Sequence, residues 1–216
     1  EMMKWVQSLT DYLTYQGQHY RNPAKLDNPI EIEDMENLKR SGQAARQAFS
    51  KLATAFGQAF PDWTQGRVSA WMNQAQVARP HFWVYYFPPE NRSASPSFAL
   101  RLVSDQGALT VCLELSFIER SRQEQTLAQQ ARILEVPAPQ DAYYWVQDSD
   151  KQTRRMTTSE DHRQELVQAY EAGQVRKVLL RQDMQPLSDY SDLEDLVEDL
   201  VKAVAGFWPL YQVTQS

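Results

Sequence analysis

The stretch from His81 to Glu119 constrains this chain more than any other. It opens with Phe82-Trp83-Val84-Tyr85-Tyr86-Phe87, stops at Pro88-Pro89, resumes at Phe98 as Phe-Ala-Leu-Arg-Leu-Val, and returns from Leu109 to Ile118. Such density of β-branched and aromatic residues marks strands, around which the rest of the chain should pack. Phe98, Leu100 and Leu102 share one face of the outgoing strand, and Ala99, Arg101 and Val103 share the other. On the return strand Leu109, Val111, Leu113, Leu115 and Phe117 oppose Thr110, Cys112, Glu114 and Ser116. A slip of one residue would exchange the faces, so the apolar sets must lie opposite each other. The loop then holds an even number of residues, most simply Gln106-Gly107, with Gly107 supplying a positive φ. The predicted register pairs Leu102 with Val111, Leu100 with Leu113 and Phe98 with Leu115. It sets Arg101 opposite Cys112 and diagonal to Glu114, within reach of an ion pair.

Helical periodicity covers Met2 to Tyr15, with Gly17 as a stop. His19 to Ile32, with Pro23 and Pro29, reads as a loop. Glu33 to Phe60 carries the longest helical pattern, with Gly42 as a break or kink and Pro61 as its end. Asp62 to Pro80 is polar apart from Trp63, Trp71 and Met72, with a short helix expected at Trp71 to Val77. After the hairpin come a polar helix over Ser121 to Glu135, an aromatic strand over Ala142 to Val146, and a loop over Asp148 to Thr157. A helix starts at Thr158 or Ser159 and ends at Gly173, and a strand follows over Gln174 to Leu180. Ser191-Asp-Leu-Glu194 reads as a capping box opening a last helix that Pro209 should end. The expected fold is one α+β domain over residues 1–216. Its mostly antiparallel sheet has about five strands, its element order is α-α-β-β-β-α-β-α-β-α, and any seam falls near 137–140.

Composition mainly excludes. No run is long and apolar enough for a transmembrane helix, no signal-peptide core opens the chain, and the lone Cys112 cannot form an internal disulfide. A soluble cytoplasmic protein, not a membrane protein, is the expectation. The formal net charge is −6, and residues 183–199 hold seven acids and no Lys or Arg, a balance that disfavours nucleic acid as partner. His19, His81 and His162 share no ligand spacing, so no metal is expected. Phosphate-cradling glycine loops, a nucleophile elbow and an acidic-x-Lys nuclease pair are all missing, which argues against cofactors and against an enzyme.

Among polar groups, the best cluster is Arg101, Glu114, Glu119 and Arg120 near the hairpin, with His81 at the strand edge. A cross-strand ion pair on a half-wet face accounts for it, and a proton-transfer site using Glu114 with His81 is the catalytic version. Trp63 and Trp71, near Gly66, either line a stacking pocket or cap the open end of the sheet. Gln168-Ala-Tyr-Glu-Ala-Gly-Gln-Val-Arg-Lys177, with Leu187 and Leu193-Glu-Asp-Leu-Val-Glu-Asp-Leu-Val201, resembles the closing segment of the N-terminal domain of McrB-type restriction subunits, and Trp63-Thr-Gln-Gly66 echoes that family's Gly- and Trp-rich motif. The resemblance covers about 45 residues. It implies a DNA-binding specificity domain that takes a modified base into an aromatic pocket, here Trp63, Trp71 and Tyr85 with nearby basic residues. Three expectations result. The first is a non-catalytic module binding a protein or small ligand through an aromatic surface that includes Trp63, Trp71, Tyr85, Arg101 and Glu114. The second is the DNA-binding domain, and the third an enzyme using Glu114 and His81.

Overall fold

A computed structural model describes residues 1–91, 95–105, 107–119 and 124–216. The hairpin at its centre has the register that parity demands. Strands β3 (Ser97–Asp105) and β4 (Ala108–Ser116) pair Leu102 with Val111, Leu100 with Leu113, Phe98 with Leu115, and Arg101 with Cys112. Gly107 takes φ +83°, while the other predicted loop residue, Gln106, lies outside the described residues.

Around the hairpin the sheet extends to seven strands, all antiparallel, in the order β1-β2-β3-β4-β7-β5-β6. The remaining strands are β1 (Thr64–Gln65), β2 (Trp83–Phe87), β5 (Tyr143–Asp148), β6 (Thr153–Thr157) and β7 (Val175–Asp183). The α+β class and antiparallel sheet match expectation, and the count of five falls short by β1 and β6. Both are edge strands. β1 is two exposed polar residues, and β6 buries only Met156, so neither carries the apolar alternation by which strands are read. The expected loop over Asp148 to Thr157 is therefore a hairpin, turning at Lys151 with φ +72°. Strands from either side of residues 137–140 pair directly, β4 with β7.

Among the described residues five helices accompany the sheet: α1 (Met2–Leu13), α2 (Pro29–Gln58), α3 (Glu124–Ala131), α4 (Glu160–Glu171) and α5 (Leu193–Gln215). α2 starts four residues before the expected Glu33. Asn28 caps it by accepting from the Ile30 N–H at 2.9 Å, and Pro29 occupies the first turn, where its fixed φ and missing N–H are harmless. A loop-marking proline was in fact a helix start. Gly42 does not break α2, which runs through it, and it is buried against the Trp71 indole. The short helix expected at Trp71 to Val77 does not form, and that segment is held by bridges of Met72 to Ala78 and Val77 to His19. The polar helix after the hairpin is α3 followed by a single 3-10 turn, Arg132–Glu135; its expected first residues, 121–123, lie outside the described ones.

At α4 the cap is Ser159, accepting from the His162 N–H, and Gly173 closes the turn into β7 with φ +75°. At α5 the cap is Asp192 rather than Ser191, accepting from the Asp195 N–H at 2.8 Å. Pro209 does not end α5, which runs on to Gln215. Pro209 and Ala205, the residue whose carbonyl loses its helical N–H donor to the proline, are both on the exposed side, open to solvent. Phe207, Leu210, Tyr211 and Thr214 of the same turns are buried, and their packing holds the helix past the proline.

One core joins the helices to a single side of the sheet. Leu9 and Tyr12 of α1, Leu38, Phe49, Leu52 and Phe56 of α2, and Leu200 and Phe207 of α5 pack with Val84, Tyr86, Phe98, Leu100, Leu113, Leu115, Tyr144, Val146, Val178 and Leu180. The buried hydroxyl of Tyr86 donates to the Ala53 carbonyl at 2.5 Å, tying β2 to α2. Among the described residues, no helix is long and apolar enough to cross a membrane.

Candidate functional site

The other side of the sheet is built differently. Strand alternation points Trp83, Tyr85, Ala99, Arg101, Cys112, Glu114, Ser116, Arg181, Asp183, Tyr143, Trp145 and Leu179 away from the helices, and no hydrophobic residue among them belongs to the shared core. Cross-strand partners line up in rows. Trp83, Arg101, Cys112 and Asp183 follow one another across four strands, and Tyr85, Ala99, Glu114, Arg181, Tyr143 and Thr157 across six. Small residues make the floor, with Ala99 and Cys112 fully buried, and long side chains lie over them.

Those long side chains alternate rings and guanidiniums. Arg79 and Arg101 stand 4.8 and 5.5 Å from the Trp83 ring, Arg181 4.6 Å from Trp145, and Arg155 3.7 Å from Tyr143. A guanidinium stacked on a ring is attracted by its electron-rich face and keeps its edge N–H groups free for other partners. Trp83, Tyr85 and Trp145 each keep part of their surface in solvent, and Arg155 is half exposed. Lys177 stands 5.9 Å from the Phe117 ring, and Glu119 pairs with Arg176 at 2.9 Å and Lys177 at 3.3 Å. Among the side chains described, six cations (Arg79, Arg101, Arg155, Arg176, Lys177, Arg181) thus share this side with three carboxylates (Glu114, Glu119, Asp183).

Glu114 sits at the centre and is only 1% exposed. Its carboxylate meets Arg181 Nε at 2.5 Å and Arg101 Nε at 3.4 Å, and accepts from the Ser116 hydroxyl at 2.7 Å. The Tyr85 hydroxyl lies 3.1 Å from Ser116 Oγ, extending the network to β2. Burial alone would raise the Glu114 pKa, but Arg101, Arg181 and the hydroxyl more than offset it and hold the carboxyl down at about 2. His81 nearby is pushed down to about 4, first by burial and then by Arg101, Arg181 and Arg79. A general base works best with a pKa near the operating pH. Glu114, with its lone pairs taken, is a weak base, and His81, a neutral imidazole at pH 7, is a weak base too and lacks the second ring proton that an imidazolium would give. Burial also pushes the Cys112 thiol well above its ordinary value, which keeps it protonated and unreactive. Among the described residues, no group of three or more His, Cys, Asp or Glu could hold a metal ion.

Of the residues singled out from sequence, Tyr85, Arg101 and Glu114 come together here, and His81 borders them through the Trp83 ring at 5.6 Å. Trp63 and Trp71 do not join them. Trp71 is buried in the core with its ring on Gly42, and Trp63 stacks between Phe60, Phe98 and Trp208 on the helix side. The three rings proposed to share a base pocket therefore face different surroundings. Glu119 turns to Arg176 and Lys177, and Arg120 lies outside the described residues. Sequence reasoning missed Arg181 and Asp183, because the strand was ended at Leu180. Continuing its alternation from Lys177 and Leu179 by two more steps would have found both.

Fold and site together define an α+β protein with one face of its sheet under helices and the other under rings and arginines. Neither models of known protein families nor curated proteins match the chain.

The two displaced pKa values predict how stability depends on pH. For His81 the folded pKa lies below the unfolded one, so its contribution is full above about 6.5 and is lost as pH falls toward 4. For Glu114 the contribution is full above about 4.5 and is lost as pH falls toward 2, on the order of 3 kcal/mol. Urea midpoints at pH 7, 5 and 3 should therefore fall in two stages. His81→Gln should abolish the first stage and keep the second, and a midpoint flat from pH 7 to 3 would refute both assignments.

Proposed function

We propose that this chain is a non-catalytic binding module whose ligand, anionic and carrying flat rings, lies on the helix-free side of the sheet. The supporting observation is the layer itself: Trp83, Tyr85 and Trp145 partly exposed, interleaved with guanidiniums, on a side where cations outnumber carboxylates two to one among the side chains described. Rings offer stacking surface, and stacked guanidiniums offer charge-assisted hydrogen bonds to oxyanions. Arg101 and Arg181 already spend part of their N–H groups on Glu114 and Arg155 one on Asp183, and a purely apolar partner would leave the remaining N–H groups desolvated and unpaired, which is costly.

The experiment uses adenosine monophosphate as the simplest ring-bearing anion. The chain has six tryptophans, whose indole N–H signals are assigned by single Trp→Phe variants. Titration of the labelled protein up to about 10 mM, where even a contact of ~3 kcal/mol is detected, should shift Trp83 and Trp145 alone. Shifts centred on Trp63 and Trp208, or none at all, would overturn the reading.

A further inference from the structure

From the spacing of the rings we infer that the ligand of this face is single-stranded nucleic acid, bound across the strands. The inference rests on the binding-module reading above and goes beyond it by choosing a polymer. Trp83 is on β2 and Trp145 on β5, with β3, β4 and β7 between them. Strands in a sheet lie about 4.8 Å apart, so the two rings are separated by roughly 19 Å across the sheet, and more along the diagonal. No single nucleotide reaches both. A chain of bases joined by phosphates does, and the guanidiniums of Arg101 and Arg181 lie in the interval.

Charge selects the same occupant. The chain as a whole carries −6, yet this side carries an excess of cations, so the rest of the surface is correspondingly acidic. A polyanion is attracted to this side and repelled elsewhere, which fixes where it binds. Duplex DNA keeps its base faces stacked inside and cannot use flat rings on an open sheet. Unpaired bases present those faces, and stack on Trp and Tyr rings and on guanidinium planes alike.

The test measures anisotropy of labelled twelve-residue oligo-dT and oligo-U with the full chain at about 50 mM salt, against a duplex of equal length and against adenosine monophosphate. Either single strand is expected to bind at least about 100-fold tighter than the mononucleotide and well above the duplex, with affinity falling steeply as salt rises. The two strands separate the RNA and DNA versions: tighter oligo-U marks RNA, tighter oligo-dT marks DNA. Trp145→Ala should weaken binding about tenfold or more. Arg155→Gln, which removes the charge at a half-exposed position without setting a second carboxylate beside Asp183, its ion-pair partner at 3.6 Å, should weaken it severalfold, and Lys51→Glu, on the exposed side of α2, should leave it unchanged. Single strands that bind no tighter than the duplex, or an Arg155→Gln protein that binds normally, would overturn the inference. If the mononucleotide shifts both indoles while the oligomers gain nothing over it, the polymer is wrong and the binding module stands. If nothing reaches this face, both fall.

Discussion

Replacing Arg181 with methionine is expected to destabilise the protein by about 3–5 kcal/mol, because it strands a buried carboxylate. Arg181 is 14% exposed, and its Nε lies 2.5 Å from Glu114, which is itself 1% exposed. The variant keeps the volume and the contact with Trp145 but removes the nearer of the two charges. Arg101 remains, but its Nη2 makes only one long hydrogen bond to the carboxylate, at 3.4 Å, and its Nε makes none, so it cannot fully replace the lost partner. At about 2–4 °C per kcal/mol for a chain of this length, the melting temperature should drop by roughly 10 °C. Two further results separate this cause from a general packing defect. In Arg181→Met the Glu114 pKa rises, since burial is no longer offset, so the deficit should be greatest at neutral pH and shrink as the solution is acidified below about pH 4.5. In the double variant with Glu114→Gln most of the loss should be recovered, giving a coupling of about 2 kcal/mol or more. A deficit that is constant with pH, or an additive double variant, would show that the ion pair contributes little.

How much of this was legible in the sequence depends on which physical signal each element carries. The hairpin register followed from alternation alone, because Phe98, Leu100, Leu102 and their partners bury one side completely, and a slip would expose all of them. The Arg101–Glu114 pair followed from the same register. β6 was not legible, because Thr153–Thr157 is an edge strand that earns its place through backbone pairing with β5 while only Met156 is buried. Pro29 and Pro209 misled in opposite directions. Proline is welcome in a first turn, and inside a helix it is tolerated where the orphaned carbonyl faces water and the neighbouring turns are well packed. Trp63 and Trp71 stand out as rings in a polar stretch, but a single chain gives no signal of where a loop folds, and both turn toward the helices. The binding face itself is assembled by order. β7 is inserted between β4 and β5, which brings Arg181 beside Glu114 from 67 residues away, and no local pattern announces that pairing.

Gly42 supplies the second large effect, and there the expected sign runs against helix propensity. Alanine in place of a mid-helix glycine ordinarily stabilises by about 1 kcal/mol, and leucine by nearly as much. At Gly42 an added Cβ would stand 2.4 Å from Trp71 Cδ2 and 2.7 Å from its Cγ, far inside contact distance. The indole cannot easily retreat: it is 7% exposed, Tyr20 meets it edge-on at 5.5 Å, and its carbonyl accepts from the buried Tyr12 hydroxyl at 2.5 Å. Overpacking of this kind costs about 1–3 kcal/mol even for a methyl group, so Gly42→Ala should destabilise by about 1 kcal/mol net and Gly42→Leu by about 3 or more. Trp71→Ala destabilises in its own right by opening a cavity, yet it removes the wall. In that background Gly42→Ala should become stabilising, by up to about 1 kcal/mol, as the unopposed propensity returns. Denaturant unfolding of the four proteins decides it. If Gly42→Ala stabilises the protein with Trp71 in place, or destabilises equally with and without the ring, then α2 does not need a glycine to admit the indole, and the packing of the 71–80 segment onto α2 has been misassigned.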